Sequence, residues 1–305
     1  MDPQPNSQLA IQTLSRPSSV LSPGLADLLE LAKPRMNLLV VATTVVGFHM
    51  AIRNSADWRL LPATLLGTAL SAAGASALNQ FIERGPDALM RRTRNRPLPA
   101  GRIRPADALG YGIGMSISGV ALLTLLVNPL TAMLAAFTIL SYVLVYTPLK
   151  RLTPWNTIVG ALPGAIPPVI GWTAVRGELG PQALALLAIL FMWQIPHFMA
   201  IAILYRNDYE AGGFKMLPVV DKNLTATSWH IGLFSIALLG ASMLPALFGM
   251  SSIKYLFLAV MLGMAFITAG AGCISARSRG EARRLFVFSI IYLPLLLAAM
   301  MATRL

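Results

Sequence analysis

The sequence predicts an all-α, polytopic membrane protein. Of the 305 residues, 56% are hydrophobic and only 12% are charged, whereas soluble domains carry about 25% charged residues. Uncharged apolar stretches of about 20 residues, long enough to cross a bilayer as helices, recur along the chain. Nine transmembrane helices are therefore expected, at 36–52, 61–82, 108–127, 129–146, 155–174, 182–204, 229–249, 252–273 and 285–302.

The distribution of basic residues predicts how these helices cross the membrane. With a cytoplasmic N-terminus, 19 of the 24 Lys and Arg residues fall in the N-terminal segment and the inside loops. Inside loops of membrane proteins carry such an excess, so the net charge of +12 mostly reflects topology and not nucleic-acid binding. We predict a bacterial inner (plasma) membrane protein with its active site toward the cytoplasm. A mitochondrial inner membrane is less favoured, since Arg16 is the only basic residue before Lys33.

The N-terminal segment and the cysteine count set the domain organisation. Residues 1–28 are rich in Pro, Ser and Gln and lack the apolar run of a signal peptide. They predict a disordered tail ahead of one membrane domain at 29–305. Because Cys273 is the only cysteine, one chain can form neither a disulfide nor a thiolate metal cluster.

The second predicted helix ends in three polar residues with the spacing Asn79-x3-Glu83-x3-Asp87. Residues four apart share one face of a helix, which brings Asn79 and Glu83 together. Asp87 follows a Gly-Pro pair at 85–86. Because proline clashes with the carbonyl four residues earlier, we expect the helix to end or kink near Arg84. In either case, three oxygen-bearing side chains gather where the helix reaches the membrane surface.

These residues and the loop that follows them suit a metal-bound diphosphate. Mg²⁺ takes one or two carboxylate ligands and leaves its other positions to water and phosphate. Arginine binds phosphate oxygens through paired hydrogen bonds, and the loop contains Arg84, Arg91, Arg92, Arg94 and Arg96. The alternative is an ordinary basic inside loop with local salt bridges. Acids near the membrane are costly and usually functional, which favours the metal site.

Two other inside loops and one intramembrane motif add candidate residues. Asp208 and Lys215 follow the sixth predicted helix, and Lys150 and Arg151 follow the fourth; solvated loops are the alternative for both. His197 lies within the sixth helix, one turn after Trp193 and on the same face. An intramembrane histidine is a functional candidate, as a ligand to haem iron or as a proton carrier, and a packed, hydrogen-bonded histidine is the alternative.

Together these motifs resemble the UbiA superfamily of intramembrane prenyltransferases, most closely its haem-prenylating members. The resemblance is carried, in order along the chain, by the motif at 79–98, by Tyr-Thr-Pro-Leu-Lys-Arg at 146–151 and by the motif at 208–220. The stretch at 156–172 and Trp-Gln-Ile-Pro-His-Phe at 193–198 match as well. The similarity extends from about Lys33 to Leu305.

The resemblance implies a nine-helix bundle around a central cavity, in which Mg²⁺ promotes ionisation of farnesyl diphosphate and the farnesyl group passes to a vinyl group of haem b. Carried over by position, it implies that Mg²⁺-diphosphate is bound by Asn79, Glu83, Asp87 and Asp208. The implied phosphate partners are Arg92, Arg96, Lys150, Arg151 and Lys215. Tyr146 is a further catalytic candidate, which manages a proton or orients the porphyrin, and His197 and Trp193 are candidates for contact with haem. The expected partners are both substrates, the bilayer, and a haem A synthase or oxidase assembly protein.

Two positions depart from the superfamily pattern. Glu83 stands where many members have Asp, and Tyr205 occupies a position that is often acidic. These departures imply either a weaker second metal site or one Mg²⁺ that is held mostly by the first motif. Another UbiA-type prenyltransferase, acting on a quinone precursor or a tetrapyrrole acid, is the nearest alternative. A transporter with broken helices and an intramembrane ion site is the alternative from another class. Ten of the twelve acids lie on the predicted cytoplasmic side, which argues against alternating access.

Overall fold

The computed structural model describes residues 24–305, which form fourteen α-helices. A 3₁₀ turn at Ser55–Leu60 and a π-helical segment at Ser141–Tyr146 complete the regular structure of this part of the chain, apart from one isolated bridge. The all-α prediction is confirmed. The helices are α1 (Leu25–Ala32), α2 (Pro34–Ala51), α3 (Leu61–Leu89), α4 (Pro105–Leu126), α5 (Pro129–Leu140), α6 (Thr147–Leu152), α7 (Asn156–Ala165), α8 (Pro167–Arg176), α9 (Pro181–Leu204), α10 (Arg206–Ala211), α11 (Leu217–Val220), α12 (Thr225–Leu247), α13 (Ile253–Ala276) and α14 (Arg279–Ala302).

Eight helical stretches are long and apolar enough to cross a bilayer, and they coincide with the second to ninth predicted spans. Three of them join neighbouring elements. Ser55–Leu89 joins the 3₁₀ turn to α3, Pro129–Leu152 joins α5 to α6 through the π segment, and Asn156–Arg176 joins α7 to α8. The protein is therefore an integral membrane protein. The first predicted span corresponds to α2, which is not among the eight, so the count of nine and the side of the N-terminus stay predictions.

Helix α2 nevertheless packs deep in the bundle. A Cβ atom at Gly47 would lie 1.8 Å from the carbonyl oxygen of Pro168, and one at Gly171 would lie 2.0 Å from that of Thr44. The backbones of α2 and α8 therefore touch, as transmembrane helices do where small residues line the interface. A run of consecutive buried residues in α8 fits this central position.

Two boundaries differ from the predictions. The predicted tail at 1–28 is too long, because α1 already begins at Leu25; its first 23 residues lie outside the described part of the chain. Helix α3 does not end near Arg84 but runs through Pro86 to Leu89. Proline removes one backbone hydrogen bond, and within one turn of the helix end that single loss is tolerated. Asp87 consequently lies in the last turn of α3.

The two longest polar loops are held against each other by a small apolar cluster. Met90, which follows α3, packs with Phe214 and Met216, which follow α10, and with Ala202 of α9. Each of these four side chains is at least 95% buried. The loop after α3 is thereby fixed over the end of α9, and the candidate residues of both loops are brought to one end of the bundle.

We expect the C-terminus to lie outside the cytoplasm, because nine crossings from a cytoplasmic N-terminus is an odd number. Alkaline phosphatase, which is active only outside the cytoplasm, should be active when it is fused after Leu305. The same enzyme fused after Ser278, before α14, should be inactive. A fluorescent protein that matures only in the cytoplasm should give the reverse pattern. An inactive fusion after Leu305 would contradict either the nine crossings or the predicted orientation.

Candidate active site

Asn79, Glu83 and Asp87 line one buried face of α3. Their spacing of four residues places them one above another on the helix, and their exposed fractions are only 1%, 6% and 1%. Buried polar groups need partners, since an unpaired charge in an apolar environment is costly. The hydrogen-bond partners that other segments supply to these three side chains therefore define the site.

Each of the three accepts a hydrogen bond from a different cation. The Lys33 ammonium lies 3.1 Å from Asn79 Oδ1, and Lys150 Nζ lies 2.7 Å from Glu83 Oε1. The Arg96 guanidinium donates to Asp87 Oδ2 across 2.7 Å. These cations come from the start of α2, from α6 and from the loop after α3, so three distant parts of the chain meet at one face.

Asp87 retains an oxygen that nothing in the described residues satisfies. Its Oδ1 is buried without a hydrogen-bond partner, while Thr93 Oγ1 donates to its backbone carbonyl at 2.8 Å and fixes the turn that follows. A buried, unpaired carboxylate oxygen fits an additional positive ligand. Within 24–305, no three His, Cys, Asp or Glu side chains form a cluster that could hold a metal by themselves. The donor set is accordingly two carboxylates and one amide, to which a ligand must add oxygens.

Lys33 was not singled out by the sequence analysis. It joins α1 to α2 in a left-handed backbone conformation, with φ of 49°, which costs an L-residue about 1–2 kcal/mol. Burial and then the nearby Arg96 charge lower the pKa of its ammonium to about 7. The only local signal is a lysine directly before a proline and an apolar span. Its contact with Asn79 depends on packing between α2 and α3.

Lys150 lies between acidic and aromatic groups. Its Nζ is 4.5 Å from the centroid of the Tyr146 ring and 5.9 Å from that of Phe214, within the range of a cation–π interaction. Tyr146 ends the π segment, a helix type that often marks functional sites. Its ring lies against Gly160, where a Cβ would approach it to 2.3 Å. A glycine in α7 is therefore required for this placement of Tyr146.

Thr147 and Asn156 hold residues of the site through hydrogen bonds. Neither was predicted as a site residue from the sequence. Thr147 Oγ1 accepts a hydrogen bond from the Asn79 amide at 3.1 Å. The Asn156 amide donates to the Lys215 carbonyl at 3.0 Å, and the Lys215 N–H donates to the Lys150 carbonyl at 2.7 Å. Lys215 is thus tied by its backbone beside Lys150, although its side chain is exposed. Both Thr147 and Asn156 are at least 98% buried.

The second acidic loop contributes less directly. Asp208 lies in the first turn of α10, is half-buried, and makes no side-chain hydrogen bond or ion pair within the described residues. Arg92 donates to the Tyr209 hydroxyl at 3.3 Å and lies over the Tyr205 ring at 4.8 Å. Tyr205, which replaces the acid expected at this position, therefore holds a basic residue of the opposite loop. Arg151 is exposed.

Trp193 and His197 form a separate group deeper in the membrane domain. Their rings are stacked with centroids 4.7 Å apart and an interplanar angle of 20°. Trp193 Nε1 donates to the Ser289 carbonyl at 2.8 Å, and His197 Nδ1 lies 2.7 Å from the Ser289 hydroxyl. His197 is about two turns before the end of α9. The structure thus brings these two residues together, and neither makes a hydrogen bond to Asn79, Glu83 or Asp87.

Comparison with known proteins agrees with this architecture. The model of the UbiA prenyltransferase family matches residues 40–293. Protoheme IX farnesyltransferase from Solibacter usitatus is 43% identical over 288 residues, which cover 91% of this chain and 98% of that protein.

Two solved structures share the fold. A digeranylgeranylglyceryl phosphate synthase superposes with a TM-score of 0.75 at 18% identity, covering 92% of this chain and 98% of the other. A UbiA homologue from Archaeoglobus fulgidus, bound to DMAPP and Mg²⁺, gives a TM-score of 0.66 at 20% identity, covering 90% and 98%.

Proposed function

The chain belongs to the UbiA prenyltransferase family, and from that premise we propose that it transfers the farnesyl group of farnesyl diphosphate to a vinyl group of haem b. Relatives that are more than 40% identical over nearly the whole chain are named protoheme IX farnesyltransferase. The single observation that carries the proposal is the buried face of Asn79, Glu83 and Asp87 with its three cations. A transporter is not consistent with membership of this family.

We assign the oxygen atoms of this face to a divalent cation, Mg²⁺. Asn79, Glu83 and Asp87 would hold it from α3, and Asp208 would contribute from the second loop. The unpaired Asp87 Oδ1 supports the assignment, because hard cations prefer oxygen ligands and leave several positions for water and phosphate. When bound, Mg²⁺ supplies charge that stabilises the departing diphosphate.

The cations of the site are assigned to the diphosphate. Lys33, Lys150 and Arg96 now donate to protein oxygens, and a phosphate group at the same place gives them a more highly charged acceptor. Arg92, Arg151 and Lys215 lie further out and neutralise the remaining oxygens. Positive groups that are already in place stabilise the charge that develops as the C–O bond breaks, without reorganisation at that moment.

The allylic cation formed by this ionisation requires walls that do not react with it. Tyr146 and Phe214 present aromatic faces beside Lys150, and such faces attract cations. The π electrons of the haem vinyl group form the new C–C bond, and the positive charge moves to the vinyl carbon next to the porphyrin. Water adds there and releases one proton, which gives a hydroxyethyl-farnesyl product. Trp193 and His197 are assigned to the porphyrin.

The reaction takes place at the cytoplasmic side of a bacterial inner membrane, according to the distribution of cations. The product supplies haem A formation, so that a haem A synthase or an oxidase assembly protein is the expected partner. This assignment of side and partner rests on the charge pattern and the family resemblance alone.

The proposal is tested with the purified protein in detergent, supplied with farnesyl diphosphate, Mg²⁺ and haem b. We expect a haem product heavier by one farnesyl group and one hydroxyl group, as measured by mass spectrometry, and no product when EDTA is present. Parallel reactions with 4-hydroxybenzoate or with a metal-free porphyrin bearing vinyl groups test the alternative acceptors. Prenylation of 4-hydroxybenzoate but not of haem would contradict the proposal.

A further inference from the structure

Ser289 of α14 contacts both residues that we assign to the porphyrin. Its side chain is fully buried, its carbonyl accepts the Trp193 indole N–H at 2.8 Å, and its hydroxyl lies 2.7 Å from His197 Nδ1. These contacts join residues that are 96 and 92 positions apart in sequence. Ser289 belongs to none of the sequence motifs described above, and it has no role in the proposed reaction.

The hydrogen bonds of the Ser289 hydroxyl determine which nitrogen of the His197 ring carries the hydrogen. A serine hydroxyl has one hydrogen to donate. The Phe286 carbonyl, 2.6 Å from Ser289 Oγ, can only accept, so the contacts with Phe286 and His197 are both satisfied only when Ser289 donates to that carbonyl. Its oxygen is then the acceptor toward His197, so Nδ1 carries the hydrogen. In a neutral imidazole the other nitrogen, Nε2, is left with a free lone pair. This tautomer is the one that coordinates a metal through Nε2.

The ring of His197 is also fixed in orientation. It is stacked between Trp193, at 4.7 Å and 20°, and Phe286, at 5.2 Å and 30°. His197 is half-buried, whereas Trp193 and Ser289 are buried. Metal-binding histidines are held in the same way, with one ring nitrogen bonded to a protein oxygen and the other directed to the metal.

We propose that Ser289 is a positioning residue of the acceptor site, which holds His197 with Nε2 free to ligate the iron of the substrate haem. The inference rests on the proposed function, because it takes haem b as the acceptor. An iron–imidazole bond would hold the porphyrin against α9 and fix the tilt of its plane. Ser289 itself touches neither substrate.

The test is a titration of the full-length protein with ferric haem b, followed by absorption and electron paramagnetic resonance spectra. The wild-type protein should give the spectrum of an imidazole-ligated haem, and His197→Ala should lose it. Ser289→Ala should weaken haem binding by about 10- to 100-fold, the usual effect of removing such a supporting partner, and should shift the population of the ligated form. Ser289→Thr, which keeps a hydroxyl, should restore both properties.

Ser242→Ala is the matched control. Ser242 is also fully buried, and its hydroxyl likewise donates to a carbonyl of its own helix and contacts one side chain, the Tyr292 hydroxyl at 2.8 Å. It should leave the haem spectrum unchanged. Mg²⁺-dependent binding of a farnesyl diphosphate analogue should be unaffected in both Ser289→Ala and Ser242→Ala.

Two results overturn the inference and separate it from the proposed function. If the wild-type protein shows imidazole ligation and Ser289→Ala retains it with unchanged haem affinity, or if His197→Ala retains it, Ser289 has no such role, while farnesyl transfer to haem stands. If the wild-type protein binds no haem, both proposals fail. Should Ser289→Ala not fold, Ser289→Cys is measured in its place; its thiol is a weak hydrogen-bond acceptor, and unchanged haem affinity and ligation in that variant would overturn the role of Ser289.

Discussion

Asp87→Ala should lower the turnover of farnesyl diphosphate by about 10³-fold while the protein remains folded. The carboxylate holds the unpaired oxygen of the site and is paired with Arg96, so its loss removes the proposed metal ligand and frees the proposed phosphate partner. Loss of one preorganised electrostatic group typically costs about 10²–10³ in rate. Arg96 is partly exposed, so water can solvate its freed charge. Initial rates and melting temperatures in detergent measure the two effects.

Asp107→Ala is the control for this variant. Asp107 is paired with Arg104 at 2.7 Å in the first turn of α4, outside the candidate site, so its removal also breaks an acid–arginine pair near the membrane surface. It should leave turnover within about twofold of the wild-type value, since surface pairs contribute little. Retained turnover in Asp87→Ala, at normal Mg²⁺ concentration, would contradict the assignment of Asp87 as a metal ligand.

The part of the site that the sequence predicted is the part that lies on one helix. Asn79, Glu83 and Asp87 share a face because their spacing is helical, and the spacing is visible without any knowledge of the fold. The helix does not end before Asp87, one of the two outcomes expected there, because a proline within one turn of the helix end removes a single hydrogen bond. A hydrogen bond from the Thr93 hydroxyl to the Asp87 carbonyl holds the last turn of α3.

The partners of these residues could not be predicted from local patterns. Lys33 reaches Asn79 across 46 positions of sequence, and Lys150 reaches Glu83 across 67. Such contacts are set by the way the helices pack, which a periodic pattern of apolar residues does not specify. The basic loops predicted that cations would be near, but they did not distinguish Lys150, which enters the site, from the adjacent Arg151, which stays exposed.

Lys150→Ala should lower kcat/KM for farnesyl diphosphate by about 10²–10³-fold, mainly through loss of charge at the leaving group. It should also reduce stability, because Glu83 is only 6% exposed and breaking a buried ion pair costs about 3–5 kcal/mol. Mg²⁺ should recover part of that stability, since a divalent ion replaces the missing positive charge beside Glu83. Steady-state kinetics and melting curves at several Mg²⁺ concentrations measure these changes.

Arg151→Ala separates the role of position from that of charge. It removes the same formal charge one residue further along α6, but from an exposed side chain outside the pair with Glu83. It should reduce kcat/KM by less than about tenfold, as expected of a solvated and screened cation, and should leave the Mg²⁺ dependence of melting as in the wild type. Equal losses in the two variants would mean that the loop acts through its net charge. The contact between Lys150 and Glu83 would then have no special part in binding the diphosphate.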